Sequence, residues 1–157
     1  MTTRSPATIR RAEPSDATEI SALIQQYVAS GMLLPRSPEF CAERALEFLV
    51  AVVDDRVVGC VHLDEYSPSL AEVRSLVVEP AWQGRGIGAA LVDSVERLAG
   101  IREYALLFAV SNNEAFFRSQ GYEARHIPEL DRQRSEISRF KGVYAKEVRA
   151  RQLTPGH

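Results

Sequence analysis

The stretch Val73-Arg-Ser-Leu-Val-Val-Glu-Pro-Ala-Trp-Gln-Gly-Arg-Gly-Ile-Gly-Ala-Ala-Leu91 constrains this chain more than any other. Its first half reads as a strand that pauses at Glu79-Pro80. Its second half passes through Gln83-Gly84-Arg85-Gly86-Ile87-Gly88 into an apolar helical run. Three glycines alternating with other residues let the backbone bend so that successive N–H groups converge on one point. A helix starting there adds its own unpaired N–H groups and the positive end of its dipole. Strand, loop and helix together make a cradle for a phosphate or pyrophosphate, and Arg85 places a cation at the rim. The blander reading, in which the glycines only let a helix pack closely on a sheet, would not require Arg85 and three glycines together.

With 157 residues, 45% of them hydrophobic and 25% charged, the chain has the length and composition of one ordinary globular domain. A net charge of -2 implies no broad basic surface and argues against general nucleic-acid binding. Cationic side chains gather late, at Arg132, Arg134, Arg139, Lys141, Lys146, Arg149 and Arg151. Most of these read as a solvated face, with one or two available to an acidic ligand. Cys41 and Cys60 lie in apolar contexts and read as buried small hydrophobes, without metal-ligand spacing. His62, His126 and His157 are scattered, so no metal site is expected. Nothing resembles a signal peptide or a membrane-crossing run, and a cytoplasmic location is expected.

Taken in order, residues 1–6 read as a tail and residues 8–12 as a short strand. Ser15-Asp16 offers a cap for a helix whose apolar positions Ala17, Ile20, Leu23, Ile24, Tyr27 and Val28 follow helical spacing, stopped by Gly31. A second helix opens at Ser37-Pro38 and runs to about Leu46. Residues 48–53 and 57–63 read as a hairpin around Asp54-Asp55-Arg56, and Ser67-Pro68-Ser69 breaks the chain again. Glu72 to Val78 is the next strand, and a helix follows the glycines to about Leu98. Tyr104 to Val110 reads as a strand covered on both faces. Ser111-Asn112 caps a short helix from Glu114 to Ser119, ended at Gly121, and Tyr122 to His126 reads as a further strand. Residues 129–138 read as helix or loop, Lys141 to Val148 as a last strand, and residues from Arg151 as a tail. The sum is one mixed α/β (α+β) domain over 1–157, with its core at 8–148 and tails at 1–6 and 151–157.

Three phosphate ligands compete for the loop. A nucleotide-triphosphate loop needs Gly-Lys-Ser/Thr, and no lysine follows these glycines. A dinucleotide fold places its glycines directly after the strand and an acid at the end of the next one. Here Glu79-Pro-Ala-Trp-Gln83 intervenes and the next strand ends in Ala109-Val110-Ser111. The third option fits more of the chain. Strand, Glu-Pro, aromatic, then Gln-Gly-Arg-Gly-Ile-Gly resembles the acyl-CoA motif of the GNAT superfamily of N-acetyltransferases, and the later Phe117…Gly121-Tyr122 pattern extends the resemblance over nearly all of residues 8–148.

That resemblance implies a central, mostly antiparallel mixed sheet splayed between its fourth and fifth strands and flanked by helices. It implies that N–H groups of Gln83, Gly84, Arg85, Gly86, Ile87, Gly88 and Ala89 hold the pyrophosphate of acetyl-CoA. The strand at Leu76, Val77 and Val78 would pair with the pantetheine arm, a bulge would splay that strand, and the acetyl group would lie between it and the strand ending at Val110. Phe117 would complete the cofactor site.

Direct attack of an amine on the thioester needs a base for the ammonium, dipoles for the oxyanion and an acid for the departing thiolate. Many superfamily members place a tyrosine in the helix after the fifth strand as that acid, and Phe117 stands at that position here. The departure is shared by N-acetylglutamate synthases and related amino-acid N-acetyltransferases. Gly31-Met-Leu-Leu-Pro-Arg-Ser37 and Arg139-Phe-Lys-Gly-Val143 are similar to two further stretches of that subgroup, with Lys141 in place of a serine. The resemblance implies Arg36 and Arg139 as forks for the carboxylates of glutamate, a geometry suited to guanidinium, with Leu34, Arg74 and Lys141 beside them. Read alone, Arg36 and Arg139 are more often surface charges than ligands, and Arg74 faces either substrate or solvent. Glu72 is the expected base and Ser111 the hydroxyl that assists the thiolate, against the plain alternatives of a strand-end glutamate and a helix cap. Tyr122 and Tyr144 are reserve acids, and His62 is a second base that reads more simply as structural.

The expected activity is therefore acetylation of the α-amino group of an amino acid, L-glutamate first, in a ternary complex that would feed arginine biosynthesis. No metal, nucleic acid or membrane partner is expected, and a homodimer is left open. Two alternatives stand beside it. One is a GNAT enzyme acting on another small amine, such as glutamine, a polyamine or an antibiotic. The other is a non-catalytic acetyl-CoA sensor, which Phe117 favours.

Overall fold

The computed structural model describes residues 6–31, 33–130 and 142–148. Its strands are β1 (Thr8–Arg11), β2 (Phe48–Val53), β3 (Arg56–Ser67), β4 (Leu70–Val78), β5 (Leu106–Ser111), β6 (Glu123–Ala124) and β7 (Gly142–Glu147), and its helices are α1 (Ala17–Gln25), α2 (Pro38–Glu43), α3 (Ile87–Ile101) and α4 (Glu114–Ser119). The strands form one seven-stranded sheet in the order β1-β2-β3-β4-β5-β7-β6. The β1–β2, β2–β3, β5–β7 and β6–β7 pairs are antiparallel. β4 and β5 run parallel, joined only where Leu70, Ala71 and Glu72 meet Leu106, Leu107 and Phe108. This is the mostly antiparallel mixed sheet, parting between its fourth and fifth strands, that the family resemblance implies.

The backbone falls into two compact units, residues 1–64 with 73–95, and residues 65–72 with 96–157. In the first, β2 and β3 make a hairpin closed by Asp54 and Asp55 at φ +49° and +63°. Two consecutive left-handed residues match the right-handed twist of the strands, and aspartate tolerates that conformation better than most side chains. Ala12, Ile20, Leu23 and Ile24 pack with Phe48, Val50, Cys60 and Val77 in its core. Each large side chain fully buried there contributes roughly 1.5–3 kcal/mol. Gly59 of β3 lets α3 approach closely. A Cβ at that position would lie 3.1 Å from Leu91 Cδ1 and 3.2 Å from the Val77 carbonyl oxygen.

In the second unit Leu70, Phe108, Ile127, Leu130 and Ala145 form the core. Leu107, Phe108 and Ala109 are consecutively buried, as a strand covered on both faces requires. Lys146 closes this unit from inside. Its ammonium donates to Glu96 Oε1 at 3.0 Å and to the Gln120 carbonyl at 2.8 Å.

Several boundaries differ from the sequence reading. α1 ends at Gln25 and the chain reaches Gly31 through turns, because the Tyr27 and Val28 amides close tight i−3 bonds onto Ile24 and Gln25. Asp16 does not cap α1 through its side chain. Its carboxylate takes Arg10 at 2.8 Å and the Glu13 amide at 2.7 Å instead. β3 runs on to Ser67 and β4 begins at Leu70, so Pro68 and Ser69 form a two-residue turn rather than a break. The cap of α4 is Asn113, which accepts from the Phe116 amide at 3.3 Å, not Ser111-Asn112. The strand read over Tyr122 to His126 shrinks to Glu123–Ala124. The segment read as helix or loop before β7 lies mostly outside the described residues, and the chain from residue 149 lies wholly outside them.

Candidate active site

The glycine loop lies in the first unit, and its geometry follows from residues on either side. The Glu79 amide bonds to the Val58 carbonyl at 2.8 Å, which fixes the exit of β4 against β3. Pro80 then opens a single 3₁₀ turn to Trp82. The Gln83 side-chain amide donates to the Val78 carbonyl at 3.0 Å and to the Tyr27 hydroxyl at 2.9 Å, tying the loop to both β4 and the end of α1. Gly84 and Gly86 have φ +78° and +81°, the left-handed region that favours glycine. α3 begins directly afterwards. Its first helical bond joins the Ala90 amide to the Gly86 carbonyl at 3.0 Å, so the Ile87, Gly88 and Ala89 amides precede that bond. The Arg85 guanidinium lies exposed, 5.0 Å from the centre of the Trp82 ring. The Gln83 amide itself closes the 3₁₀ turn onto the Pro80 carbonyl at 3.3 Å, so the donors suited to an anion are the backbone amides at the start of α3.

β4 carries the irregularity expected of it. Ser75 has φ +52° in the middle of the strand, buried to 8% exposure. A non-glycine residue there is strained, and it re-aims the strand. The Cys60 thiol donates to the Ser75 carbonyl at 3.4 Å, and burial pushes that thiol well above its ordinary range. Beyond the kink, Leu76 and Val78 are half-buried and Val77 is buried. The Val78 carbonyl already accepts from Tyr27 at 3.1 Å as well as from Gln83.

The same unit holds Leu34, Arg36 and Arg74. Leu34 is exposed. The Arg36 carbonyl accepts from the Ser21 hydroxyl at 2.6 Å, and its guanidinium sits 4.8 Å from the centre of the Phe40 ring. Arg74 pairs with Asp64 at 3.0 Å. The fold also gathers Glu47, His62 and Asp64, whose ligand atoms lie within 4.8 Å of one another. The scatter of histidines along the chain gave no sign of this group. The one available signal was that His62 and Asp64, two apart on a strand, share a face. A divalent ion entering this group would compete with Arg74 for Asp64. His62 is fully buried, stacked on Phe48 with centroids 4.4 Å apart and bonded through Nε2 to Glu47 Oε1 at 2.8 Å. Burial, the largest influence, lowers its pKa against the opposing pull of Glu47.

In the second unit Glu72 is the third residue of β4, opposite Phe108, and only 4% exposed. It is therefore not the exposed strand-end glutamate of the plainer reading. Ser111 is the last residue of β5, and its hydroxyl oxygen accepts from the Asn113 amide at 2.9 Å, a local turn rather than the helix cap. Phe117 of α4 is buried, stacked parallel to Tyr144 at 6.4 Å and edge-on to Tyr122 at 5.4 Å. Both reserve acids thus flank the position where many GNAT enzymes keep their tyrosine. Arg139 and Lys141 lie outside the described residues.

Comparison with known proteins agrees with this geometry. The acetyltransferase (GNAT) domain family matches residues 44–124. An uncharacterised N-acetyltransferase of Chlorobaculum tepidum is 34% identical over 115 residues, covering 73% of this chain and 74% of its own. The amino-acid acetyltransferase of Mycobacterium tuberculosis is 34% identical over 117 residues, covering 73% and 67%. The crystal structure of N-acetylglutamate synthase from Neisseria gonorrhoeae, complexed with coenzyme A and N-acetyl-glutamate, superposes with a TM-score of 0.82 at 26% identity. It covers 94% of this chain and 36% of that one. With its glycine loop, kinked fourth strand and this match, the chain belongs to the GNAT family of acetyltransferases.

Proposed function

We propose that this chain is a single catalytic domain that transfers the acetyl group of acetyl-CoA to the α-amino group of an amino acid, with L-glutamate as first acceptor. The observation that carries this reading is the pair of left-handed glycines, Gly84 and Gly86, set directly before α3. The names of the relatives support the acceptor class, since several are amino-acid acetyltransferases.

In this reading the amides from Gly84 to Ala89 hold the pyrophosphate and Arg85 adds charge at its rim. The backbone of Leu76 to Val78 holds the pantetheine arm, and Phe117 is a further residue assigned to the cofactor. Glu72 takes a proton from the acceptor ammonium, freeing its lone pair to attack the thioester carbonyl carbon. The tetrahedral intermediate collapses with cleavage of the C–S bond, the second proton of the attacking nitrogen passes to the departing thiolate, and Ser111 stabilises that thiolate as it leaves. Arg36 and Arg139 are the forks assigned to the acceptor's carboxylates, since a guanidinium offers two parallel N–H donors, and Leu34, Arg74 and Lys141 are assigned to the same substrate.

Free thiol released from acetyl-CoA across a panel of amino acids and amines tests the proposal. Turnover with L-glutamate whose KM rises at least tenfold in Arg36→Ala supports it. Turnover confined to cationic amines overturns it. Phe117, in place of the usual tyrosine, favours a second reading as a sensor that binds acetyl-CoA without turnover. Tight binding of acetyl-CoA with every amine left unacetylated is its signature.

A further inference from the structure

Around Phe40, in the first unit, three side chains are arranged in a way that the glycine loop does not explain. The Arg36 guanidinium lies 4.8 Å and the Arg44 guanidinium 4.9 Å from the centre of its ring. His62 meets that ring edge-on, with centroids 5.8 Å apart and planes at 89°. His62 is itself held on two further sides. Phe48 stacks flat against it with planes at 4°, Glu47 fixes Nε2, and the remaining nitrogen Nδ1 is buried without a hydrogen-bond partner among the described residues. A buried imidazole nitrogen with no partner is costly. The ring's place there calls for a reason beyond filling space, which phenylalanine or leucine would do without that cost.

We propose that His62 is a positioning residue for the acceptor: pinned by Glu47 and Phe48, it holds the Phe40 ring on which the Arg36 guanidinium rests. This deepens the function proposed above, since it rests on Arg36 as the carboxylate fork. Arg36 is fixed at its backbone by Ser21, and its guanidinium lies against the Phe40 ring. A guanidinium over an aromatic face keeps its in-plane N–H donors available to a carboxylate. Tilting the Phe40 ring turns the fork away from its ligand without removing the charge. The charged groups near His62 are Glu47 on the turn before β2, Asp64 on its own strand and Arg36 on the link before α2. Asp64 is in turn paired with Arg74 of β4. The imidazole therefore sits among balanced charges, and its work is done in the neutral form.

The test has two arms. In the first, NMR of the acetyl-CoA-free protein follows the Arg36 Nε–H resonance, which the Phe40 face displaces upfield. Phe40→Leu serves as the control that removes the displacement. The expected result is that His62→Ala also removes most of it, while Glu47→Gln, which can still accept from Nε2, retains it. An undisturbed Arg36 signal in His62→Ala overturns the proposal whatever the acceptor proves to be. In the second arm, His62→Ala raises the KM for the amino acid about tenfold, with kcat and the KM for acetyl-CoA changed less than about threefold. Combining it with Phe40→Leu adds little more, as expected of residues acting through one contact. Equal losses in kcat and both KM values, or full additivity, overturn it. If no amino acid is acetylated at all, the function proposed above fails while the first arm still decides the role of His62.

Discussion

Arg36 is anchored by its own carbonyl to Ser21, so Arg36→Ala removes the proposed fork without loosening the link that carries it. The expected outcome is a KM for the amino-acid acceptor raised at least tenfold, with acetyl-CoA binding unchanged, read from initial rates at saturating acetyl-CoA. Arg36→Lys is expected to recover only part of this, because an ammonium neither bonds bidentately nor lies flat on Phe40. Glu72, the proposed base, is buried, and Glu72→Gln is expected to lower kcat by about 10²–10³-fold with little change in either KM. Stability against pH separates two further residues. Arg10, bonded to Asp16, is the main cause that holds the Asp16 carboxyl below its ordinary 3.8. The folded form therefore binds that proton less readily than the unfolded chain, and the stabilisation fades as pH drops below about that value. Burial holds His62 below its ordinary 6.5, so its contribution fades in the same direction but in a higher window. Urea denaturation from pH 7 to 3 is expected to show the first loss in the wild type and in Asp16→Asn but not in His62→Phe. The second is expected to be absent from Asp16→Asn alone.

The loop between β4 and α3 was the most legible element, and the reason is local. Glycine is the residue that takes φ near +80° without strain, so Gly84 and Gly86 reveal their backbone without any knowledge of neighbours. An added Cβ meets nothing within 4 Å at either position, so substitution acts through φ and not through a clash. Gly86→Ala is expected to raise the KM for acetyl-CoA and to cost about 1–2 kcal/mol of stability, with Gly86→Asn milder on both counts. Thermal melts and acetyl-CoA titrations check this. The hairpin at Asp54-Asp55 was legible for the same local reason. The cap of α4 was misread because Ser111, Asn112 and Asn113 are all good capping residues, and only the hydrogen bond from Phe116 chooses among them. The kink at Ser75 left no mark in the residues themselves. Serine has no preference for φ +52°, and the conformation is imposed by packing. The Glu47–His62 bond was hidden as well, because it joins residues 15 positions apart whose approach depends on how β2 and β3 are paired.

Across the whole molecule, the strand order and the three-residue parallel contact between β4 and β5 are what the family resemblance implies. The chain covers only 36% of the Neisseria synthase whose structure it superposes on, so whatever the remainder of that protein does is separate from the fold described here. Among the described residues no helix is long and apolar enough to cross a membrane. The second unit depends on one buried pair. Glu96 is 3% exposed at its side chain and neutralised by Lys146. Lys146→Met would take the ammonium away from that buried carboxylate, and a loss of up to about 3 kcal/mol is expected. Calorimetry should show the melting temperature falling by roughly 2–4 °C for each kcal/mol. Glu96→Gln combined with Lys146→Met is expected to recover part of the loss.

The two cysteines bear on how such an enzyme lives with its own product. Each turnover liberates a thiol, and oxidised forms of that thiol would trap any accessible cysteine as a mixed disulfide. Cys41 and Cys60 are both fully buried, and burial pushes both thiols up, away from the reactive thiolate. The folded chain is thus inert toward its leaving group. A thiol-reactive dye should label neither cysteine until denaturant is added and both thereafter, so that in the native protein every dye equivalent consumed counts one acetyl transfer.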